Sequence, residues 1–310
     1  MERKVERSPS SSGPRKPGLV RRRVTYGLIL GAVALSLIGW DFATGRSFGI
    51  AVLTAAALGL SVSEVLRMLS VGGPPVSRGP AVLAAISMVA LQVAGHEAPG
   101  AVSLPPDVDL LLVLGFLMLC WSSGLRGTPS PEKLRSLLVT TFGVVYVLGL
   151  GAFTMRVRYL GEELGGAATS GANLGTWLVL FAIVAAKGSD IFAFFTGYAL
   201  GKRKLIPKVS PGKTIAGGVG ALLGAILITL GLSALTGLGD VFPWWAAVPL
   251  GILLGVTAMV GDLVESLIKR STATKDSGGL VPEFGGALDI IDSILFVLPV
   301  VYVAAWAFAG

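Results

Sequence analysis

The chain has 310 residues, 53% of them hydrophobic and only 14% charged, with a formal net charge of +7. So low a charged fraction, well below the quarter typical of globular domains, excludes an ordinary water-soluble fold and points to the membrane. A single cysteine, Cys120, excludes an intramolecular disulfide and a cysteine-rich metal site, and a single histidine, His96, excludes chemistry built on several histidines.

Residues 1–23 hold eight Lys/Arg among Ser, Pro and Gly, which predicts a disordered basic tail ending with Arg21, Arg22 and Arg23 at the bilayer surface. No small-residue cleavage site precedes the apolar run that follows, so a retained first helix is expected rather than a signal peptide. From there apolar runs of about 20 residues recur, each long enough to cross a hydrocarbon core of about 30 Å as a helix. Spans are expected near 24–43, 48–68, 80–95, 108–124, 136–155, 174–199, 214–236, 244–268 and 287–309. The predicted fold is therefore all-α, a polytopic integral membrane protein of about nine transmembrane helices. Residues 24–173 form its N-terminal membrane helices, and 174–310 a C-terminal unit of helices and cytoplasmic loops that carries the chemistry. The sixth run is long enough to break or to project beyond the bilayer. The steps Gly27/Gly31, Gly220/Gly224 and Gly251/Gly255 predict close helix packing.

With the N-terminus in the cytoplasm, only Arg46, Arg156 and Arg158 fall outside and Lys187 falls within the sixth span; every other Lys and Arg lies inside. This basic charge at membrane edges suits orientation and anionic lipid, and it argues against a nucleic-acid partner.

Acidic residues cluster late in the chain. The eighth span ends GDLVESLIKR, which places Asp262 and Glu265 on one helix face with Ser266 a turn beyond Asp262, and the ninth begins ALDIIDSILF, which spaces Asp289 and Asp292 alike. On antiparallel neighbours these four carboxylates converge at the cytoplasmic surface. Carboxylates so grouped repel unless a cation lies between them, and oxygen ligands without His or Cys select Mg²⁺ or a similar ion. A helix-dipole preference accounts for Asp289 and Asp292 at a helix N-terminus, but not for Asp262 and Glu265 at a C-terminus. The intervening loop STATKDSGGLVPEFGG contributes Lys275, Asp276 and four glycines, and with Lys269 and Arg270 it rims an acidic centre with basic charge. Metal and basic rim together suit phosphoryl or nucleotidyl transfer.

Upstream, GKRKLIPKVSPGKTIAGG joins the sixth and seventh spans. Its GKT resembles the end of a P-loop, but Pro207 stands where the first glycine is required and no strand precedes it. Lys208, Ser210, Lys213 and Thr214, with Gly212, remain as a triphosphate cradle opening the seventh helix. Lys187 and Asp190 are costly charges inside the sixth span, and Asp190 is expected to reach the cradle if that helix breaks near Gly188 and Ser189.

The stretch Ser266, Lys269, Arg270, Lys275, Asp276, Gly278, Pro282, Gly285, Gly286, Asp289 and Asp292 resembles the C-terminal signature of the phosphatidate cytidylyltransferases, also called CDP-diacylglycerol synthases. Residues 190–217, with Gly201-Lys202, Lys204, Pro207-Lys208 and Ser210-Pro211-Gly212-Lys213-Thr214, resemble that family's other characteristic region. The resemblance implies Mg²⁺-dependent reaction of CTP with phosphatidic acid at the cytoplasmic face of the cell (inner) membrane, giving CDP-diacylglycerol and pyrophosphate, commonly in a homodimer. A second cation is compatible with it. On this reading Asp262, Asp289 and Asp292 hold metal, with Glu265 and Asp276 in support. Lys208, Ser210, Lys213, Thr214 and Asp190 hold CTP, and Lys269, Arg270 and Lys275 receive the lipid headgroup or pyrophosphate. The chain departs from the pattern at Glu283-Phe284, where the family usually has Gly-His, at Ile290, where an Arg is usual, and at Ala216, where a Glu is common. Two rivals share features with this reading: a CTP-dependent polyprenol or other lipid kinase, and an ion-coupled transporter, which would place its charges near the midplane.

Overall fold

The computed structural model describes residues 17–71, 76–98, 104–105, 107–126, 128–165, 173–274 and 285–309. Its helices are α1 (Pro17–Thr44), α2 (Phe48–Leu69), α3 (Gly79–Glu97), α4 (Val108–Gly124), α5 (Pro131–Val144), α6 (Phe153–Gly165), α7 (Leu174–Leu200), α8 (Ile215–Leu235), α9 (Trp244–Ser271) and α10 (Ala287–Ala309). Helices α5 and α6 act as one crossing, Pro131–Gly161, through a turn of π-helix at Val145–Gly149. Among the described residues eight stretches are then long and apolar enough to span a membrane, and α4, at 17 residues, is a shorter apolar helix. Against the nine crossings expected, these are eight spans and one shorter apolar helix, in a polytopic all-α membrane protein.

Three local features differ from expectation. Helix α1 begins at Pro17, inside the stretch expected to be a disordered tail; proline suits a first helical position because its missing N–H is not needed there. Helix α7 runs unbroken through Gly188 and Ser189. The basic segment after α7 is not a plain loop but an antiparallel hairpin, β1 (Lys204–Ile206) and β2 (Ser210–Thr214), with Lys204 opposite Thr214, Ile206 opposite Ser210 and a bulge between them.

In a bilayer the apolar effect does not drive helices together, so close backbone approach must. A Cβ on Gly251 would lie 2.7 Å from Ile226 Cα, so the Gly251/Gly255 step seats α9 on α8, while the Gly220/Gly224 step faces Thr196 and Phe192 of α7. A Cβ on Gly31 would meet nothing within 4 Å: α1 lies at the periphery, with Leu28, Leu35 and Trp40 exposed, and Gly31 packs against no neighbour. The buried core lies among α2, α6, α7, α9 and α10, around residues such as Leu66, Met155, Phe181, Leu254 and Leu288.

Polar groups gather at both ends of this bundle. At one end Asp41 accepts hydrogen bonds from the Gly49 and Ile50 N–H groups, both at 2.7 Å, capping α2. There Glu97 accepts from the Ser47 N–H at 2.7 Å, the Ser47 hydroxyl lies 2.7 Å from that of Tyr159, and Arg156 bridges Asp109 at 2.6 Å and Asp107 at 2.9 Å. The other end holds the residues singled out by sequence.

Candidate active site

Four elements build this end: the second half of α7, the hairpin leading into α8, the last third of α9 and the first turns of α10. Gly261 makes their meeting possible, because a Cβ there would lie 2.6 Å from the Asp292 carbonyl oxygen. Glycine thus lets α9 approach α10 closely at the point where Asp262, the next residue, faces Asp292.

One oxygen from each of Asp262, Glu265 and Asp292 lies within 4.8 Å of the others, and Glu265 and Asp292 are buried. Three lysines reach into this acidic group from different elements. Lys213 of β2 lies 2.8 Å from Asp262, Lys269 lies 2.6 Å from Glu265 and 2.8 Å from Asp289, and Lys187 of α7 lies 3.1 Å from Asp292 and 3.6 Å from Asp190. Lys187 also donates to the Ser293 hydroxyl at 2.8 Å, and that hydroxyl lies 3.3 Å from Asp190. The partner of Lys187 is thus not only Asp190, its neighbour on α7, but a carboxylate 105 residues away.

Asp289 is arranged differently from the other three acids. One of its oxygens faces Lys269, and the other accepts from the Gly286 N–H at 3.1 Å. It hydrogen-bonds Glu265 but is not one of the three carboxylates that converge, and it caps the start of α10. Gly285, at φ +92°, carries the chain into that turn in a conformation that favours glycine, and its α-carbon is so close to the Asp289 carboxylate that a side chain would collide.

Beside the acids lies a cavity of about 550 Å³, within the range of small-molecule sites. Asp190, Lys213, Thr214 and Asp262 line it, so Asp190 reaches the cavity without a break in α7. The Thr214 side chain accepts from the Gly217 N–H at 3.1 Å and so caps α8, whose positive N-terminal end opens on the cavity. Lys208 and Ser210 do not line it: Lys208 is exposed on the hairpin turn and Ser210 is half-buried opposite Ile206. Lys204, which sequence reasoning left out of the site residues, does line it, because the β1–β2 pairing places it opposite Thr214. Lys269 turns inward to the acids while Arg270 is exposed. Lys275 and Asp276, with Gly278, Pro282, Glu283 and Phe284, lie outside the described residues.

Among the described residues, Asp190, Asp262, Glu265, Asp289 and Asp292 gather around Lys187, Lys213 and Lys269, with Asp262, Glu265 and Asp292 converging most closely. A divalent cation between the three converging carboxylates would relieve their mutual repulsion. The donors fit magnesium, being hard oxygens with no nitrogen or sulfur ligand among them, and the trio's spacing needs only small side-chain movement to reach metal–oxygen distances of about 2.1 Å.

Comparison with known proteins agrees with this geometry. Residues 21–308 match the cytidylyltransferase family. The chain is 32% identical to a phosphatidate cytidylyltransferase of Chlamydia pneumoniae over 292 residues, covering 92% of this chain and 91% of the relative. It is 34% identical over 192 residues to an uncharacterized protein of Escherichia coli K12, YnbB, covering 61% of this chain and 59% of that protein. It is 33% identical over 305 residues to phosphatidate cytidylyltransferase 5, chloroplastic, of Arabidopsis thaliana, covering 91% of this chain and 71% of that protein.

Proposed function

This chain belongs to the cytidylyltransferase family, and on that premise we propose that it transfers the cytidylyl group of CTP to phosphatidic acid, forming CDP-diacylglycerol and releasing pyrophosphate. The observation that carries the reading is the pair of features at one end of the bundle: a cluster of converging carboxylates, and beside it a cavity lined by Lys204, Lys213 and the start of α8.

The substrates divide between these features. The CTP phosphates lie against Lys204, Lys213 and the N-terminal turn of α8, where a phosphate oxygen replaces Asp262 as the partner of Lys213. Phe194 and Tyr198, exposed on α7 and also lining the cavity, offer apolar surface to the lipid, whose acyl chains stay in the bilayer. A phosphatidate oxygen forms a bond to the α-phosphorus as the α–β bridging bond breaks and pyrophosphate leaves. No protein base is required, because a phosphate monoester has its second pKa near about 6 and is ionised at neutral pH. The absence of the family's usual histidine at Phe284 and arginine at Ile290 is therefore compatible with the reaction. Positioning and charge neutralisation supply the rate.

Mg²⁺ held by Asp262, Glu265 and Asp292 would neutralise charge on the attacked phosphorus and the departing pyrophosphate. Lys187 keeps Asp292 turned toward that point by pairing with it from behind, at 3.1 Å. The reading also places the site on the cytoplasmic face of the cell membrane, supported by the Lys and Arg residues concentrated at the ends that carry it. It further takes the working unit to be a homodimer, which crosslinking in native membranes checks.

The test uses the purified chain in detergent with phosphatidic acid, Mg²⁺ and CTP labelled at either the α- or the γ-phosphate. Cytidylyl transfer puts only the α-label into lipid. A lipid kinase puts only the γ-label there, and label in neither would reject both readings.

A further inference from the structure

Glu64 lies on α2, in the half of the chain whose sequence carries no sign of chemistry, yet its side chain reaches the catalytic half. It is 7% exposed, five residues before the end of a membrane-spanning helix, where a carboxylate is costly unless both oxygens find partners. Both do. One accepts from the Ala287 N–H at 3.1 Å and the other from the Leu288 N–H at 3.0 Å, across 223 and 224 residues of sequence.

Those donors are the first two residues of α10, and a helix leaves its first N–H groups without partners inside the helix. Asp289 takes the Gly286 N–H immediately before them. Carboxylates thus hold three successive N–H groups at the start of α10, and the two inside the helix are held from outside the catalytic half. A negative group here also meets the positive end of the helix dipole.

The consequence falls on Asp292, five residues after Ala287. Fixing the first turn in two places fixes both the rotation of α10 about its axis and its position along that axis. A rotation of about 20° would carry a carboxylate roughly 6 Å from the axis by about 2 Å, enough to open the trio with Asp262 and Glu265. Errors of about 1 Å in such constellations cost on the order of 100-fold in rate.

We infer that Glu64 is a positioning residue: it clamps the N-terminus of α10 and thereby holds Asp292 against Asp262 and Glu265, which gives the N-terminal helices a part in the reaction. The inference rests on the cytidylyl-transfer reading only for its rate measurement; its structural arm is independent of that reading.

The test compares the full-length wild type with Glu64→Ala and Glu64→Gln in detergent, by amide hydrogen exchange, Mn²⁺ affinity and steady-state kinetics. In Glu64→Ala, exchange over residues 286–292 rises about tenfold or more while the hairpin and α8 are unchanged. Its Mn²⁺ dissociation constant rises about tenfold and kcat falls about 10- to 100-fold, with KM for CTP within about twofold of wild type. Glu64→Gln, which keeps one acceptor oxygen, falls between the two. Unchanged exchange over 286–292 in a folded Glu64→Ala protein overturns the clamp. Faster exchange with wild-type Mn²⁺ affinity and kcat overturns the positioning role and leaves Glu64 a fastener of the fold. If Glu64→Ala does not fold, Glu64→Gln carries the same comparison, and wild-type values for it in all three measurements overturn the inference. A wild type that transfers no label from CTP sinks the cytidylyl-transfer reading, while exchange and Mn²⁺ affinity still decide the clamp.

Discussion

The two ends of the bundle both collect charge, but they arrange it to opposite ends. At the end built from Asp41, Glu97, Asp109 and Arg156, each of these carboxylates meets donors that match it: backbone N–H groups for Asp41, Ser47 for Glu97, a guanidinium for Asp109. That is what a structural fastening requires, since buried acids cost least when fully paired. At the other end, among the described residues, Lys187, Lys213 and Lys269 lie among five carboxylates, three of which converge to within 4.8 Å. Carboxylates that converge on one another beside a cavity are poised for a partner from outside the chain. Carboxylates that face one another beside a cavity, rather than each facing its own donors, distinguish a site from a fastening here.

Substitutions at the two ends should therefore separate activity from stability. Asp262→Asn removes one of the three converging carboxylates and leaves Lys213 without its closest partner, so cytidylyl transfer should fall by about 100-fold or more while the protein stays folded. Rates and circular dichroism on the same preparation check this. Arg156→Met at the opposite end leaves Asp109 uncompensated; because Arg156 is partly exposed, the expected loss is about 2 kcal/mol, seen as a melting point lower by roughly 5 °C, with activity per folded molecule within about twofold of wild type. Loss of activity without loss of stability in Arg156→Met would erase the distinction between the ends. The smallest effect concerns Ile290, which is 49% exposed on α10 at the position where the family resemblance implies an arginine. Ile290→Arg should lower KM for phosphatidate by a few-fold, consistent with roughly 1 kcal/mol or less for an exposed charge pair, and leave kcat nearly unchanged.

The spans were legible because nothing but a membrane helix accommodates repeated apolar runs of that length, and every predicted crossing has its helix. The acidic cluster was legible from the spacing of Asp262, Glu265 and Asp292 on helices joined by one loop. Contacts between distant helices left no such trace. No periodicity links Lys187 to Asp292, and Glu64, one acid in an apolar span, gave no sign that its partners were backbone N–H groups of α10. Strands of three and five residues, rich in Lys and interrupted by Pro207 and Pro211, lack the alternation that marks a strand, so the hairpin was read as a loop and Lys204 was passed over as a site residue. Asp289 and Asp292 looked equivalent because their spacing along the helix treats them alike; only the cap at Gly286 and the reach of Lys269 separate them.

The central claim is that the converging carboxylates at one end accept a divalent cation that supports cytidylyl transfer. It is tested most directly by the rate at which α-labelled CTP enters phosphatidate as free Mg²⁺ is varied, in wild type and in Asp292→Asn. The account predicts a saturable dependence on Mg²⁺, no rate in excess chelator, and a half-saturating concentration raised about tenfold or more in Asp292→Asn. A wild-type rate that survives chelation, or a Mg²⁺ dependence that Asp292→Asn leaves unchanged, would contradict it.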